Sequence, residues 1–159
     1  MKPVLRPYQT QLNDRIRDAL CRHRRVLAVM PTGAGKGTTI GAIVAGAADK
    51  SHRVLVLAHR SELIDQLSDS LNQWNVDHGI IRPGAKQVDH KVQVSSVQTV
   101  VRRLKQLPEP KLIIIDEAHH CIPGNTWGCV IDHWPNAFVI GKTATPSRLS
   151  GEPLPGTRW

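Results

Sequence analysis

Met30-Pro31-Thr32-Gly33-Ala34-Gly35-Lys36 follows directly on the apolar run Val26-Leu27-Ala28-Val29, and a strand that runs into a Gly-Lys loop is built to cradle phosphate. The glycines let the loop wrap closely, so that its N–H groups and the first turn of the next helix face the phosphates, while Lys36 reaches toward the β- and γ-oxygens. Pro31, Thr32, Gly33, Ala34, Gly35, Lys36, Gly37 and Thr38 are therefore read as the nucleotide-binding set. One of them departs from the chemistry. The residue after the lysine is expected to be Ser or Thr, whose hydroxyl ligates Mg²⁺, and here it is Gly37. Thr38 is a poor substitute, because one further helical position turns its side chain about 100° away and lifts it about 1.5 Å. Losing a charge-assisted contact of about 1.5 to 3 kcal/mol would cost roughly ten- to a hundredfold in metal-dependent binding or turnover.

A second group, Asp116-Glu117-Ala118-His119, stands at the C-terminal end of Leu112-Ile113-Ile114-Ile115, where parallel sheets present their ligands. Asp116 there can hold Mg²⁺ through its water shell, and the adjacent Glu117 can orient or deprotonate the water that attacks a γ-phosphate. Taken alone, the two carboxylates could simply cap the next helix. A Gly-Lys loop upstream in the same chain makes the catalytic reading the stronger one.

The elements that must position these groups show in the apolar pattern. Residues 25–30, 53–58, 92–96, 112–116 and 137–141 are short aliphatic runs with helical patterns between most of them. Residues 8–22, with Leu12, Ile16, Ala19 and Leu20 in register, read as an amphipathic helix. Strands alternating with helices predict a parallel sheet, and the non-alternating runs Val54-Leu55-Val56-Leu57 and Leu112-Ile113-Ile114-Ile115 predict central strands covered on both faces. A chain of 159 residues, 40% hydrophobic, can bury one core. The fold class expected is α/β, a doubly wound three-layer domain around a mainly parallel sheet. The net charge of +8 favours a polyanionic partner such as nucleic acid. Three cysteines, Cys21, Cys121 and Cys129, form no disulfide framework, and the N-terminus lacks the apolar stretch of a signal peptide, so a cytoplasmic protein with no membrane partner is expected.

In order along the chain, these segments resemble the first RecA-like domain of the superfamily 2 helicases and translocases, closest to RadD-like and type III restriction-subunit helicases. Leu5-Arg6-Pro7-Tyr8-Gln9 looks like the adenine-reading motif, with Gln9 on the base edge and Arg6 and Tyr8 beside it. Met30 to Lys36 matches motif I, His59-Arg60-Ser61-Glu62-Leu63 resembles the end of motif Ia, and Val94-Ser95-Ser96-Val97-Gln98-Thr99 is similar to the nucleic-acid-contacting segment that follows. Asp116 to His119 spells a DEAH box, and Gly141-Lys142-Thr143-Ala144-Thr145-Pro146 resembles motif III. The resemblance implies ATP and Mg²⁺ as cofactors. It implies Lys36, Asp116, Glu117, His119, Thr143 and Thr145 as catalytic residues, and Arg60, Ser96, Gln98 and Thr99 as nucleic-acid contacts, with DNA favoured over RNA. Residues 1–150 would be the ATP-binding domain and 151–159 a Pro/Gly-rich tail or shortened linker. A second RecA-like domain carrying an arginine finger, on another chain or in a longer protein, would complete the site. Lys142 stands where related sequences carry an apolar residue.

Competing readings rest on named residues. His119, Cys121, Cys129 and His133 suggest zinc only weakly, because closed sites use tight Cys-x-x-Cys pairs. Trp74 follows Leu63, Leu67 and Leu71 at helical spacing and reads as core rather than as a base-stacking platform, a role also open to Trp127 and Trp134. The Arg22-His23-Arg24-Arg25 cluster reads as a solvated turn. A small kinase would need neither the DEAH box nor Thr-Ala-Thr. The functional expectation is the ATP-binding motor half of a helicase or translocase, weakly active alone. Gly37 favours the alternative, a non-catalytic nucleotide- or nucleic-acid-binding fragment or regulator.

Overall fold

The computed structural model describes residues 1–84, 89–118 and 126–144. Among them run α1 (Pro7–Leu20), β1 (Arg25–Val29), α2 (Lys36–Asp49), β2 (Val54–Ala58), α3 (Ser61–Gln73), β3 (Gly79–Ile81), β4 (Val92–Ser96), α4 (Val97–Val101), β5 (Leu112–Asp116), α5 (Thr126–His133) and β6 (Phe138–Thr143). The strands form one sheet in the order β1-β6-β5-β2-β4-β3, and every pairing is parallel. Because the direction is common, Val29, Ala58, Ser96, Asp116 and Thr143 all end at one edge. The expected three-layer α/β fold is the observed one.

Strand period two sorts the core into two faces. Val54, Val56, Ile114 and Ile140 pack with Ile16 of α1, Ile40 and Val44 of α2, and Leu67 and Leu71 of α3. Leu55, Leu57, Ile113, Ile115 and Val139 pack on the other side with Val100 of α4 and with Trp127, Val130 and Trp134 on and just after α5. Since β5 and β2 lie mid-sheet with helices on both faces, their sequences carry no polar alternation, as the apolar runs require. Trp127 and Trp134 belong to this interior, which answers the base-stacking alternative for both. Trp74 caps the end of α3 and packs half-buried against the first face.

Three details differ from the sequence expectations. β3 is an additional, three-residue edge strand beside β4, too short to show a period. β6 runs on to Thr143, two residues beyond the expected end, and so carries Lys142 into the sheet. In the basic cluster only Arg22 and His23 are simply solvated: Arg24 donates to the Asn136 carbonyl at 2.7 Å and lies over the Phe138 ring, and Arg25 opens β1. No helix among the described residues is long and apolar enough to cross a membrane.

Candidate nucleotide site

β1 delivers the loop and α2 begins at Lys36, so the loop runs directly into a helix N-terminus. The loop needs its glycines for two different reasons. Gly33 and Gly35 both have left-handed φ, 81° and 76°, and a β-carbon on Gly35 would in addition collide with the Gln9 amide. Gln9 is buried and fully engaged: its Oε1 accepts the Arg6 N–H at 2.9 Å, and its Nε2 donates to the Ala34 carbonyl at 3.0 Å. The Tyr8 hydroxyl donates to the same carbonyl at 3.0 Å. In this state Gln9 and Tyr8 brace the loop from α1. Arg6, Tyr8, Gln9, Gly33, Gly35 and Thr38, with Pro3 and Val4, line a pocket of about 210 Å³ beside it. Thr38 thus faces the side of the loop where Arg6, Tyr8 and Gln9 lie, as its rotation along the helix requires.

Position 37 does more than lack a hydroxyl. A β-carbon there would fall 2.6 Å from Ser70 Oγ on α3, so glycine also lets α3 pack closely against the start of α2. Four residues on, a β-carbon at Gly41 would strike the Trp74 ring. The two glycines, one helical turn apart, form a smooth stripe against which α3 lies.

Below the loop, Lys36 Nζ donates to Glu117 Oε1 at 3.1 Å, a largely buried pair joining α2 to the end of β5. Glu117 has φ 54°, a left-handed conformation that a non-glycine residue adopts at some cost. Its neighbour Asp116 has a buried Oδ1 with no protein partner. Burial, and next the Glu117 charge, push the Asp116 carboxyl above its usual value, while Lys36, the Glu117 N–H and Lys142 pull it back down. Lys142 pairs across the sheet with Asp116 on one side and with Ala28 on the other. It is fully buried, and burial holds its ammonium down to about 7 against the partly restoring charge of Asp116. Lys142 Nζ meets the Met30 sulfur at 4.0 Å. Thr143 is buried at the end of β6, its carbonyl accepting the Met30 N–H at 2.8 Å and tying the end of that strand to the loop.

The structure therefore brings Lys36, Asp116, Glu117, Thr143 and the loop together; His119 and Thr145 lie outside the described residues, as do Cys121 and residues 151–159. Arg60, Ser96, Gln98 and Thr99 lie elsewhere. Arg60 is exposed at the N-terminus of α3, and Gln98 is exposed on α4. Ser96 caps α4 by accepting the Thr99 N–H, and its hydroxyl bonds the buried Thr99 hydroxyl at 2.9 Å. In a parallel sheet β4 lies four strands from β1, so this segment and the loop occupy separate parts of one edge. Lys142 is the site residue whose importance the sequence did not disclose. Its signal was a lysine interrupting an otherwise apolar strand.

Residues 2–148 match the family described as type III restriction enzyme, res subunit. The chain belongs to that family. It is 31% identical over 96% of its length to the putative ATP-dependent helicase IRC3 of Saccharomyces cerevisiae, and 36% identical over 77% of its length to a 51.5 kDa protein of a Lactococcus phage. It spans about a quarter of each, 25% and 24%. Its fold is similar to that of the type ISP restriction-modification enzyme LlaGI, solved with a DNA substrate mimic, at a TM-score of 0.73 and 20% identity over 98% of this chain and 19% of that one. These matches place the chain among helicase-type ATPase motor domains with the superfamily 2 RecA-like fold.

Proposed function

We infer that the chain is the ATP-binding motor half of an ATP-dependent DNA or RNA helicase or translocase, weakly active by itself. The observation that carries this reading is the convergence of Lys36, Glu117 and the unpartnered Asp116 oxygen beneath the phosphate loop. Incoming phosphates would draw Lys36 away from Glu117, freeing that carboxylate to orient and deprotonate the attacking water. The residues present fit a magnesium ion at one of its two usual places: the buried Asp116 oxygen suits its water shell, whereas Gly37 offers no hydroxyl. A magnesium ion bound with the nucleotide would supply charge neutralisation at the β- and γ-oxygens. Thr143, through its backbone bond to Met30, and Thr145 after it would link the loop to the nucleic-acid face. Arg60 and Gln98 are the exposed candidates for that face, and backbone phosphates suit an arginine at the end of a loop. The net charge suits either nucleic acid; LlaGI, which shares the fold, was solved with a DNA substrate mimic, and on that likeness DNA is the favoured partner. A second RecA-like domain would supply the arginine finger.

The specific observation favouring a second reading, a nucleotide-binding regulator without turnover, is Gly37. Calorimetric titration with ADP and a phosphate-release assay with and without DNA separate the two. Weak ADP binding that Lys36→Ala abolishes, with slow release of phosphate, is expected. Failure of the folded chain to bind ADP overturns the nucleotide reading, and brisk DNA-stimulated turnover overturns the claim that the chain is weak alone.

A further inference from the structure

We propose that Lys142 is a resident cation of the nucleotide site, which takes over part of the counter-charge a metal ion would otherwise supply to the phosphates; this rests on the nucleotide reading above. The argument begins with what a buried lysine needs. An ammonium without charge partners or strong acceptors is expensive in a protein interior, and a strand interior ordinarily fills such a position with an apolar side chain. Lys142 is fully enclosed, yet the hydrogen-bond acceptor its amine meets among the described residues is the Met30 sulfur at 4.0 Å, a weak one. No carboxylate comes within ion-pair distance of it among those residues, and Lys36, the other lysine beside it, is already paired with Glu117.

Its location turns that cost into a candidate function. Lys142 is the cross-strand neighbour of Asp116, which places both side chains on the face of the sheet that α2 covers, and Met30 opens the phosphate loop itself. The groups facing it are Asp116 from β5, Lys36 from α2 and, beyond Lys36, Glu117. Asp116 keeps a buried oxygen without a partner. In the same site Gly37 withholds the hydroxyl that would hold a metal ion, and Ser70 Oγ approaches to 2.6 Å of where a β-carbon at 37 would stand. One lysine is thus built into the sheet beside Asp116, while one ligand for a mobile positive charge is missing. A polyanion at the loop would feel Lys142 through a poorly screened interior, where a single charge alters affinity by about tenfold or more.

The test is calorimetric titration of ADP into the full chain, in Mg²⁺ and in EDTA, for the wild type and for Lys142→Met. Methionine keeps the unbranched shape and removes the charge, and the wild-type comparison needs no variant at all. We expect wild-type affinity to change less than about threefold on removing Mg²⁺, and Lys142→Met to lose about tenfold or more in EDTA while recovering most of it in Mg²⁺. A wild-type affinity that falls tenfold or more in EDTA, or a Lys142→Met chain that matches the wild type in both buffers, overturns the role of Lys142 and leaves the nucleotide reading standing. ADP that binds neither folded protein in either buffer overturns both.

Discussion

Replacing Lys142 by methionine should make the empty protein more stable, and more so at neutral pH than in alkali. The folded chain holds this ammonium at about 7, whereas an unfolded lysine keeps its proton up to 10.5. Between those values the unfolded chain binds more protons, so the contribution of Lys142 to stability improves as pH rises and is at its worst below about 7. The gap corresponds to a ceiling of about 5 kcal/mol at 1.36 kcal/mol for each decade of the proton equilibrium. Part of this is returned when the variant is made, because Lys142 also helps keep the buried Asp116 charged. We therefore expect Lys142→Met to gain about 2 to 4 kcal/mol at pH 6 to 7, and most of that gain to fade by pH 10. Urea denaturation followed by circular dichroism across pH 6 to 10 measures it, with the slope against denaturant checked for constancy. A variant less stable than the wild type at pH 6.5, or a gain independent of pH, refutes the view of Lys142 as a strained internal charge.

Gly37→Thr should raise the ratio of nucleotide affinity in Mg²⁺ to that in EDTA by roughly tenfold, read by calorimetry. It should leave urea stability within about 1 kcal/mol, because Ser70 can rotate away from the new β-carbon and the helix gains by losing a glycine. Gly41→Ala, by contrast, drives a methyl into the Trp74 ring and should lower stability by about 1 to 3 kcal/mol, measured as a fall in the urea midpoint. Arg60→Ala should reduce the log–log salt slope of DNA binding by about one phosphate contact without altering sequence preference, measured by fluorescence anisotropy; an unchanged slope would leave Arg60 a solvated loop charge.

What could be read in the sequence followed from patterns that one segment carries by itself. The unbroken apolar runs of β2 and β5 announced central strands because covering on both faces removes polar alternation, and the loop and Asp116-Glu117 announced phosphate chemistry because their residue types are constrained by the ligand. What stayed illegible depends on partners distant in the chain. Gly37 reads only as a missing ligand and Gly41 carries no signal of its own, and their fit against Ser70 and Trp74 emerges only when α2 and α3 are packed. Gln9 reads as a base contact, yet its amide braces Ala34 and caps α1. Lys142 reads as a departure whose effect the sequence leaves unassigned, since nothing local says that β6 is inserted between β1 and β5 and that its side chain is fully buried. Thr99, a candidate nucleic-acid contact by position, is buried and held by the cap of α4.

The order of the sheet also dictates when the site can come into being during synthesis. Among the described residues β1, which leads into the phosphate loop, is hydrogen-bonded in the sheet only to β6, through pairs such as Arg25 with Val139 and Val29 with Thr143. A ribosome makes β2, β3, β4 and β5 before that partner exists. The middle of the sheet can therefore assemble while β1 waits at the side, its backbone not yet paired with β6. The long loop closed by the β1–β6 pairing makes it a late and slow step. The middle of the sheet can thus form before the nucleotide site, and until Thr143 has emerged the backbone of β1 is open to pairing with another strand.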